Sequence, residues 1–418
     1  MSHSSFARHL GALGLLICVT ASAQDAGVAL ELPEVQSLAV AQQPMLQAQI
    51  AAVKSARENA VAAAQLPDPK LAIGITDLPI DGPDRYSLRR DNFTMYTAGV
   101  MQDFPLAQKR RLRGEVVRRG AEMAEQDLAA GRLAVRRDAA MAWLEVWRPE
   151  RAAEVARATE READLQAQAV EIAYRTGKLT QAEVLAARVD LQVTRDEVAD
   201  LEQQAAQARD ALSRWIGQDA YRVLCPDLPA WAAPPDGDAL LARVRKHPLL
   251  NSAAKQTEMA KADVQLARAA YKPDWGVELE YANRPAFADY VSLKVSVDLP
   301  IFTANRQDRG LAGKLHDQDR AEQLREDVWR QQAALARQSL SNWQHLQERL
   351  ARYERDILPQ SAQRVEAARL AWQSGQGLLA AVLDARRVDL ENRMKQLDLK
   401  KDAAMSRLSL QFLAGEQP

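Results

Sequence analysis

The chain has 418 residues, enough for two or three ordinary domains, and its formal net charge of −1 gives no indication of nucleic-acid binding. Charged residues make up 27% and aromatic residues 5% of the chain, whereas Gly and Pro number only 18 each. Ala, Leu, Gln, Arg and Glu dominate long stretches, a composition that is typical of long helices and coiled coils.

The first 23 residues are predicted to be a secretory signal peptide. An apolar run from Leu10 to Thr20 follows a weakly basic start and is too short to span a bilayer. Ala21-Ser22-Ala23 fits the cleavage pattern of small residues, which predicts a mature chain that starts at Gln24. Cys225 is then the single thiol, and this excludes an intramolecular disulfide.

The mature chain consists of two similar halves. The segment from Ala173 to Leu191 recurs as Ala371 to Leu390 with one inserted residue, and Asp103-Phe104-Pro105 matches Asp298-Leu299-Pro300. Such matches in the same order indicate an internal duplication. The predicted units are a signal peptide over 1–23, a first repeat over 24–217, a Pro-rich linker over 218–239 and a second repeat over 240–415.

Each repeat has the same predicted order of elements. A helix of about 30 residues, from Pro33 to Ala64 or from Asp238 to Ala270, precedes a Pro-Asp break. Two strands follow in each repeat. We place them at about residues 70–78 and 92–104, and at about 275–283 and 289–299.

Strict alternation is clearest in the second pair of strands. Trp275, Val277, Leu279 and Tyr281 alternate with polar or small residues, which predicts one apolar and one polar face. Each run has the length of a tilted strand that crosses an outer membrane. We therefore expect four polar side chains to line a wet barrel interior: Glu278, Glu280, Lys294 and Asp298.

After the strands the chain is helix-compatible for about 70 residues in each repeat, a reach of roughly 100 Å. These long stretches end at Gly177 and Gly375, where the chain is expected to reverse and return as a helix with heptad spacing. Pro149 and Pro359 interrupt the two descending stretches and should kink or break them. The predicted tips cover about residues 174–184 and 372–384.

Four strands per chain are too few to close a membrane barrel, and an open edge in lipid would leave backbone groups without partners. Several copies of the chain must therefore contribute strands to one barrel, with the long helices packed side by side beneath it. The predicted fold class is α+β and mostly α, a duplicated helix, β-hairpin and long-helix unit.

This duplicated pattern, with its Tyr-x-x-Gly break at Gly177 and its Trp-x-x-Gly break at Gly375, resembles the TolC-type outer-membrane efflux family over essentially the whole mature chain. The segments 66–79, 82–87 and 99–105 resemble its heavy-metal branch. The resemblance implies a homotrimer with a 12-stranded barrel and a helical tunnel in the periplasm. It further implies docking onto a periplasmic adaptor and an inner-membrane transporter of the resistance-nodulation-division type.

The resemblance also assigns roles at the two tips. The turns that would meet the adaptor are Gly177, Lys178 and Leu179, and Gly375, Gln376 and Gly377. In well-studied members ion pairs help to hold the tunnel shut, and their positions correspond here to Glu183 and Trp372, with Gly377 in place of an Arg. Of two inward acids at the second tip, one is replaced by Ala381 and the other is kept as Asp384. Glu183 and Asp384 are thus candidates for a cation-favouring constriction.

The remaining chemistry is sparse. The histidines are scattered, no cluster has metal-ligand spacing, and no nucleophile or phosphate-loop motif occurs, so we expect neither an enzyme nor a cofactor. The basic stretch from Lys109 to Arg119 is interpreted as a solvated helix face just below the membrane, not a nucleic-acid site.

The predicted function is an exit duct that passively exports heavy-metal cations. Two alternatives remain, namely a duct for drugs or a type I secreted polypeptide and, from another class, a periplasmic coiled-coil adaptor or structural protein.

Overall fold

The computed structural model describes residues 29–416, so the predicted signal peptide lies outside the described residues. The chain is mostly helical with one antiparallel sheet, as the predicted fold class required. Its helices are α1 (Leu32–Gln42), α2 (Pro44–Ala63), α3 (Ala107–Arg175), α4 (Gln181–Ile216), α5 (Gly237–Val244), α6 (Pro248–Ala269), α7 (Gln307–Arg352), α8 (Leu358–Gln373) and α9 (Leu379–Ala414). Its strands are β1 (Lys70–Thr76), β2 (Met95–Phe104), β3 (Trp275–Asn283) and β4 (Tyr290–Val297).

The opening helix of each repeat is divided in two by a proline. Gln43, which precedes Pro44, is extended with φ −69° and ψ 114°, and His247, which precedes Pro248, has φ −62° and ψ 140°. A proline ring disfavours helical geometry in the residue before it and favours the first helical position for itself. The two predicted helices of about 30 residues are therefore the pairs α1 and α2, and α5 and α6.

The two prolines inside the descending helical stretches affect the backbone differently. α3 runs for 69 residues through Pro149 without interruption, so the break considered there is not found. The flanking Ala152 and Ala153 are buried, and this packing offsets the backbone hydrogen bond that Pro149 cannot donate. A π-helical turn at Tyr353–Ile357 precedes Pro359 and makes room for its ring, so the second descending stretch is divided into α7 and α8.

The sheet joins both repeats in the strand order β1-β2-β3-β4. Each neighbouring pair is antiparallel, and the central pair β2 and β3 aligns Val100 with Leu279 and Gly99 with Glu280. Within the described chain, β1 and β4 pair on one side only, so both edges of the sheet are open. β1 ends earlier than predicted because Asp77 has a positive φ of 54°, which an extended strand does not allow.

The largest core lies midway along the helices and includes the linker. Trp143 is fully buried and donates a hydrogen bond from Nε1 to the carbonyl of Leu30 at 3.1 Å. Trp147 donates in the same way to Pro226 of the linker at 2.8 Å, and Leu30 forms a parallel bridge with Leu224. The linker is thus packed against the helices. None of the helices in residues 29–416 is both long and apolar enough to cross a membrane.

Candidate functional site: the sheet and the two helical tips

One face of the sheet is apolar and exposed across all four strands. On β4, Leu293 is 69% exposed, and its partner across the ladder, Leu279 of β3, is 54% exposed. An exposed apolar surface of this extent is uncommon on proteins that contact only water. The row of large apolar side chains runs through Leu71, Ile73, Ile75, Tyr96, Val100, Phe104, Trp275, Val277, Leu279, Tyr281, Val291, Leu293, Val295 and Val297.

The opposite face carries small and charged residues. Glu278 pairs across the strands with Lys294, with Nζ and Oε1 3.7 Å apart, and Glu280 lies opposite Ser292. A second ion pair joins Lys70 to Asp103 at 2.9 Å. Three of the four predicted interior residues therefore share this face, where both charge signs are present.

Asp298 is placed differently, because β4 ends one residue before it. Its N–H donates to the carbonyl of Asp274 at 2.8 Å, and its side chain lines a cavity of about 700 Å³ where the sheet meets α3, α6 and α7. Asp274 itself accepts hydrogen bonds from Lys109 Nζ at 2.9 Å and from the N–H of Leu106 at 2.8 Å. This junction fixes the start of α3 against the start of β3.

The first tip is closed by a glycine turn. Gly177 has a φ of +73°, and the N–H of Lys178 donates to the carbonyl of Ala173 at 2.9 Å, as in a Schellman motif. α4 then begins with a capping box, in which Thr180 N–H donates to Glu183 Oε2 at 2.8 Å and Glu183 N–H donates to Thr180 Oγ1 at 3.4 Å. The carboxylate of Glu183 is therefore engaged at the helix start.

The second tip has the same turn geometry, but its returning helix, α9, begins differently from α4. Gly375 has a φ of +72°, and the N–H of Gln376 donates to the carbonyl of Ala371 at 2.9 Å. Gly377 lies so close to the preceding helix that a Cβ there would meet the Cβ of Ala371 at 3.0 Å. α9 starts after Leu378 without a side-chain cap. Close approach of the chain therefore accounts for the small residue at position 377.

The two tips pack against each other within one chain. Val170, Val184, Ala187 and Leu379 form a buried cluster, called here the tip core. Two predicted site residues, Leu179 and Trp372, are half-buried against it, whereas Lys178 and Gln376 are exposed. The turns therefore expose apolar as well as polar side chains, because Leu378, which ends the second turn, is 74% exposed.

Asp384 is held by two arginines. Arg364 Nη2 donates to Oδ2 at 2.6 Å and Arg387 Nη2 donates to Oδ1 at 2.9 Å. Hydrogen bonds from Arg387 and then from Arg364 keep the pKa of Asp384 below its ordinary value, so it stays charged. Glu183 and Asp384, predicted as one acidic constriction, each have partners of their own in the single chain.

Sequence reasoning missed a set of buried polar residues farther along the tip helices. Arg386 and Asp389 of α9 are each about nine-tenths buried, and so are Gln166 of α3 and Thr194 of α4. A signal was present in the heptads. Arg386 follows Leu383 by three residues, at a seam position that heptad spacing reserves for an apolar side chain.

Comparison with known proteins decides the family. The model of the outer membrane efflux protein family matches residues 35–218 and 242–416. The chain belongs to this family. It is therefore an outer-membrane efflux channel protein and not an enzyme, which confirms these predictions and overturns the adaptor alternative.

Several solved structures share the fold. One is CusC, whose crystal structures concern conformational changes that accompany folding and transmembrane channel formation. It is 20% identical to this chain with a TM-score of 0.79, and the match covers 93% of each chain. The outer-membrane channel OprN is 19% identical, with a TM-score of 0.78 over 92% of this chain and 90% of that one. The open state of the MtrE outer-membrane channel of Neisseria gonorrhoeae is 18% identical, with a TM-score of 0.74 over 92% and 89%. A search of curated protein sequences finds no match.

Proposed function

We propose that three copies of the chain close a twelve-stranded barrel in the outer membrane and continue it as a helical tunnel in the periplasm. The exposed apolar face of the sheet, together with the open edges of β1 and β4, carries this proposal. In hydrocarbon, an unpaired strand edge costs several kcal/mol for each polar group, so the edges need partners. β4 of one copy would pair with β1 of the next.

The proposed partners are a periplasmic adaptor and an inner-membrane transporter of the resistance-nodulation-division type. The exposed Lys178 and Gln376 stand on the two tip turns, at the ends of the long helices and far from the sheet, where an adaptor could reach both. Leu179 and Trp372 support these turns from the tip core. Glu183, Asp384 and Trp372 remain candidates for the gate.

The proposed cargo is a heavy-metal cation, supported by the resemblance of residues 66–79 and 82–87 to the heavy-metal branch. One observation favours the alternative, a duct for drugs or a secreted polypeptide. The pairs Lys70 with Asp103 and Lys294 with Glu278 cancel in charge, so only Glu280 leaves a net negative charge, one per chain, on the polar face of the sheet. A lumen of this kind would select its cargo weakly and leave selection to the pump.

Deletion of the gene in its own host tests the cargo. We expect lower tolerance to silver, copper, zinc, cobalt or cadmium salts, restored by the gene supplied in trans, and unchanged tolerance to drugs. Loss of drug tolerance alone would favour the alternative. Purified protein that stays monomeric in detergent, and is absent from the outer-membrane fraction, would contradict the duct itself.

A further inference from the structure

A cavity of about 610 Å³ lies where the two proline breaks of the opening helices come together. Val40 of α1, Leu46 of α2 and Pro248 of α6 line it, together with one side of α3. Gly415, directly after α9, also lines it. Binding sites for small molecules have volumes of about 300–1,000 Å³, so this cavity is large enough to hold a ligand.

Four basic side chains line the cavity, and no acidic residue of the described chain does. They are Arg132 and Arg136 of α3, Arg243 of α5 and Lys246, which lies between α5 and α6. Arg243 forms an ion pair with Glu416. The side chains of the other three have neither a hydrogen bond nor an ion pair within residues 29–416. This site, called here the basic cavity, therefore keeps an uncompensated positive charge.

Cations elsewhere on α3 often have an acidic partner on the same helix. Arg119 lies 2.7 Å from Glu115 and 3.1 Å from Glu122, and Arg151 lies 2.8 Å from Glu154. A concave surface lined by charges of one sign focuses their field and concentrates ions of the opposite sign. The basic cavity therefore favours an anionic ligand.

Much of the remaining wall of the basic cavity is apolar. Leu46 and Leu133 are buried, and Val40 and Ile50 are half-buried. A ligand that fills this space should carry apolar groups beside its negative charges. Guanidinium groups bind carboxylates with two parallel hydrogen bonds, so carboxylates suit the arginines. An acidic peptide with small apolar side chains combines both features.

We propose that the basic cavity binds the peptide stems of peptidoglycan, with its cations on the stem carboxylates and its apolar wall on the alanine methyl groups. The proposal rests on the proposed function, because the duct would cross the periplasm and pass through the cell wall. Arg132 lies roughly 40 Å from the start of α3 at 1.5 Å per residue, well away from the sheet. Leu46 belongs to the largest core, so the wall would hold a rigid part of the duct.

Co-sedimentation of the full mature protein with purified peptidoglycan tests the proposal. In detergent, wild type should pellet with intact peptidoglycan and stay in solution with peptidoglycan whose stems an amidase has removed. Binding should weaken as salt rises from about 50 mM to about 500 mM, because the cavity's cations are exposed and therefore screened. The free stem peptide should displace the protein at lower concentrations than citrate or an acidic peptide of L-amino acids does.

A matched pair of double variants tests the residues. Arg132→Gln with Lys246→Gln removes two unpaired cations from the basic cavity and should weaken binding at least about tenfold. The control is Lys54→Gln with Arg161→Gln, which removes the same charge from exposed positions outside the cavity and should bind as wild type. Both double variants should keep the wild-type yield of trimer, since none of the four side chains is buried.

Several results would overturn the proposal. They are wild-type binding by the cavity variant, an equal loss in the control variant, and equal pelleting with stem-free peptidoglycan. Displacement by citrate or by the L-peptide as readily as by the stem would show a general anion site or a site for a protein partner instead. A trimer that conducts in bilayers but ignores peptidoglycan would contradict this proposal alone. Protein that pellets with intact peptidoglycan but never forms a trimer would contradict the duct alone.

Discussion

A charge placed on either face of β4 should have opposite consequences if the apolar face meets lipid. Leu293 lies near the middle of the strand and is 69% exposed, whereas its neighbour Ser292 points to the other face, opposite Glu280. An Arg at the bilayer midplane costs about 2–4 kcal/mol, so Leu293→Arg in three copies should cost roughly 6–12 kcal/mol per trimer. Ser292→Arg would stand in a wet lumen and gain a cross-strand pair with Glu280 of roughly 0.2–1 kcal/mol.

The assay is the yield of folded trimer in the outer-membrane fraction, measured by the slower migration of unheated samples in detergent gels. Total protein in whole cells controls for expression. We expect Leu293→Arg to lose most of the trimer and Ser292→Arg to retain it. Equal loss from both substitutions, or a loss confined to Ser292→Arg, would show that the faces of the sheet have been assigned the wrong way round.

Substitutions at four further positions test the tips and the strand–helix junction. Gly177→Val or Gly375→Val forces a β-branched residue to a φ above +70°, at a cost of about 1–3 kcal/mol. Either substitution should abolish efflux and adaptor cross-linking but leave the trimer yield unchanged. Asn at either position should reduce efflux less, because Asn tolerates a positive φ better than Val does. Lys109→Met leaves the carboxylate of Asp274 without its ammonium partner and should destabilise the protein by about 3 kcal/mol in urea unfolding, with recovery in the double variant with Asp274→Asn. Asp384→Asn should lower cation selectivity in bilayer recordings near pH 7, and wild type should lose the same selectivity only on acidification below the ordinary Asp pKa of about 4, because the folded pKa is depressed.

The two faces of the sheet could be predicted because strand periodicity is local. Trp275, Val277 and Leu279 alternate with small or polar residues, and any strand with that pattern has one apolar face. The pairing of β2 with β3, which joins the two repeats in one sheet, could not be predicted. The alignment of Val100 with Leu279 depends on two hairpins separated by the whole of α3 and α4, and no local pattern encodes it.

The tips show the same division between local and distant information. Gly177 and Gly375 were identified because a left-handed residue at a helix end favours glycine. Thr180-x-x-Glu183 is a capping-box pattern that the sequence displays, and it accounts for the position of the Glu183 carboxylate at the start of α4. The hydrogen bond from Arg364 to Asp384 joins α8 to α9 across the turn between them, and it could be identified only from the structure.

The distribution of packing along the helices indicates which end of the proposed tunnel can move. The central core contains the fully buried Trp143, Leu212 and Ile216, and indole hydrogen bonds fasten it to the linker. The tip core consists of smaller side chains such as Val170 and Ala187, and the buried polar residues Gln166 and Arg386 near it have side-chain atoms without a hydrogen-bond partner in the described part of the chain. Segments with little buried apolar area and incompletely paired polar groups open at lower free energy than large cores do. If the chain forms the proposed tunnel, its inner end would open by separation of the tips while the central core holds the long helices in place.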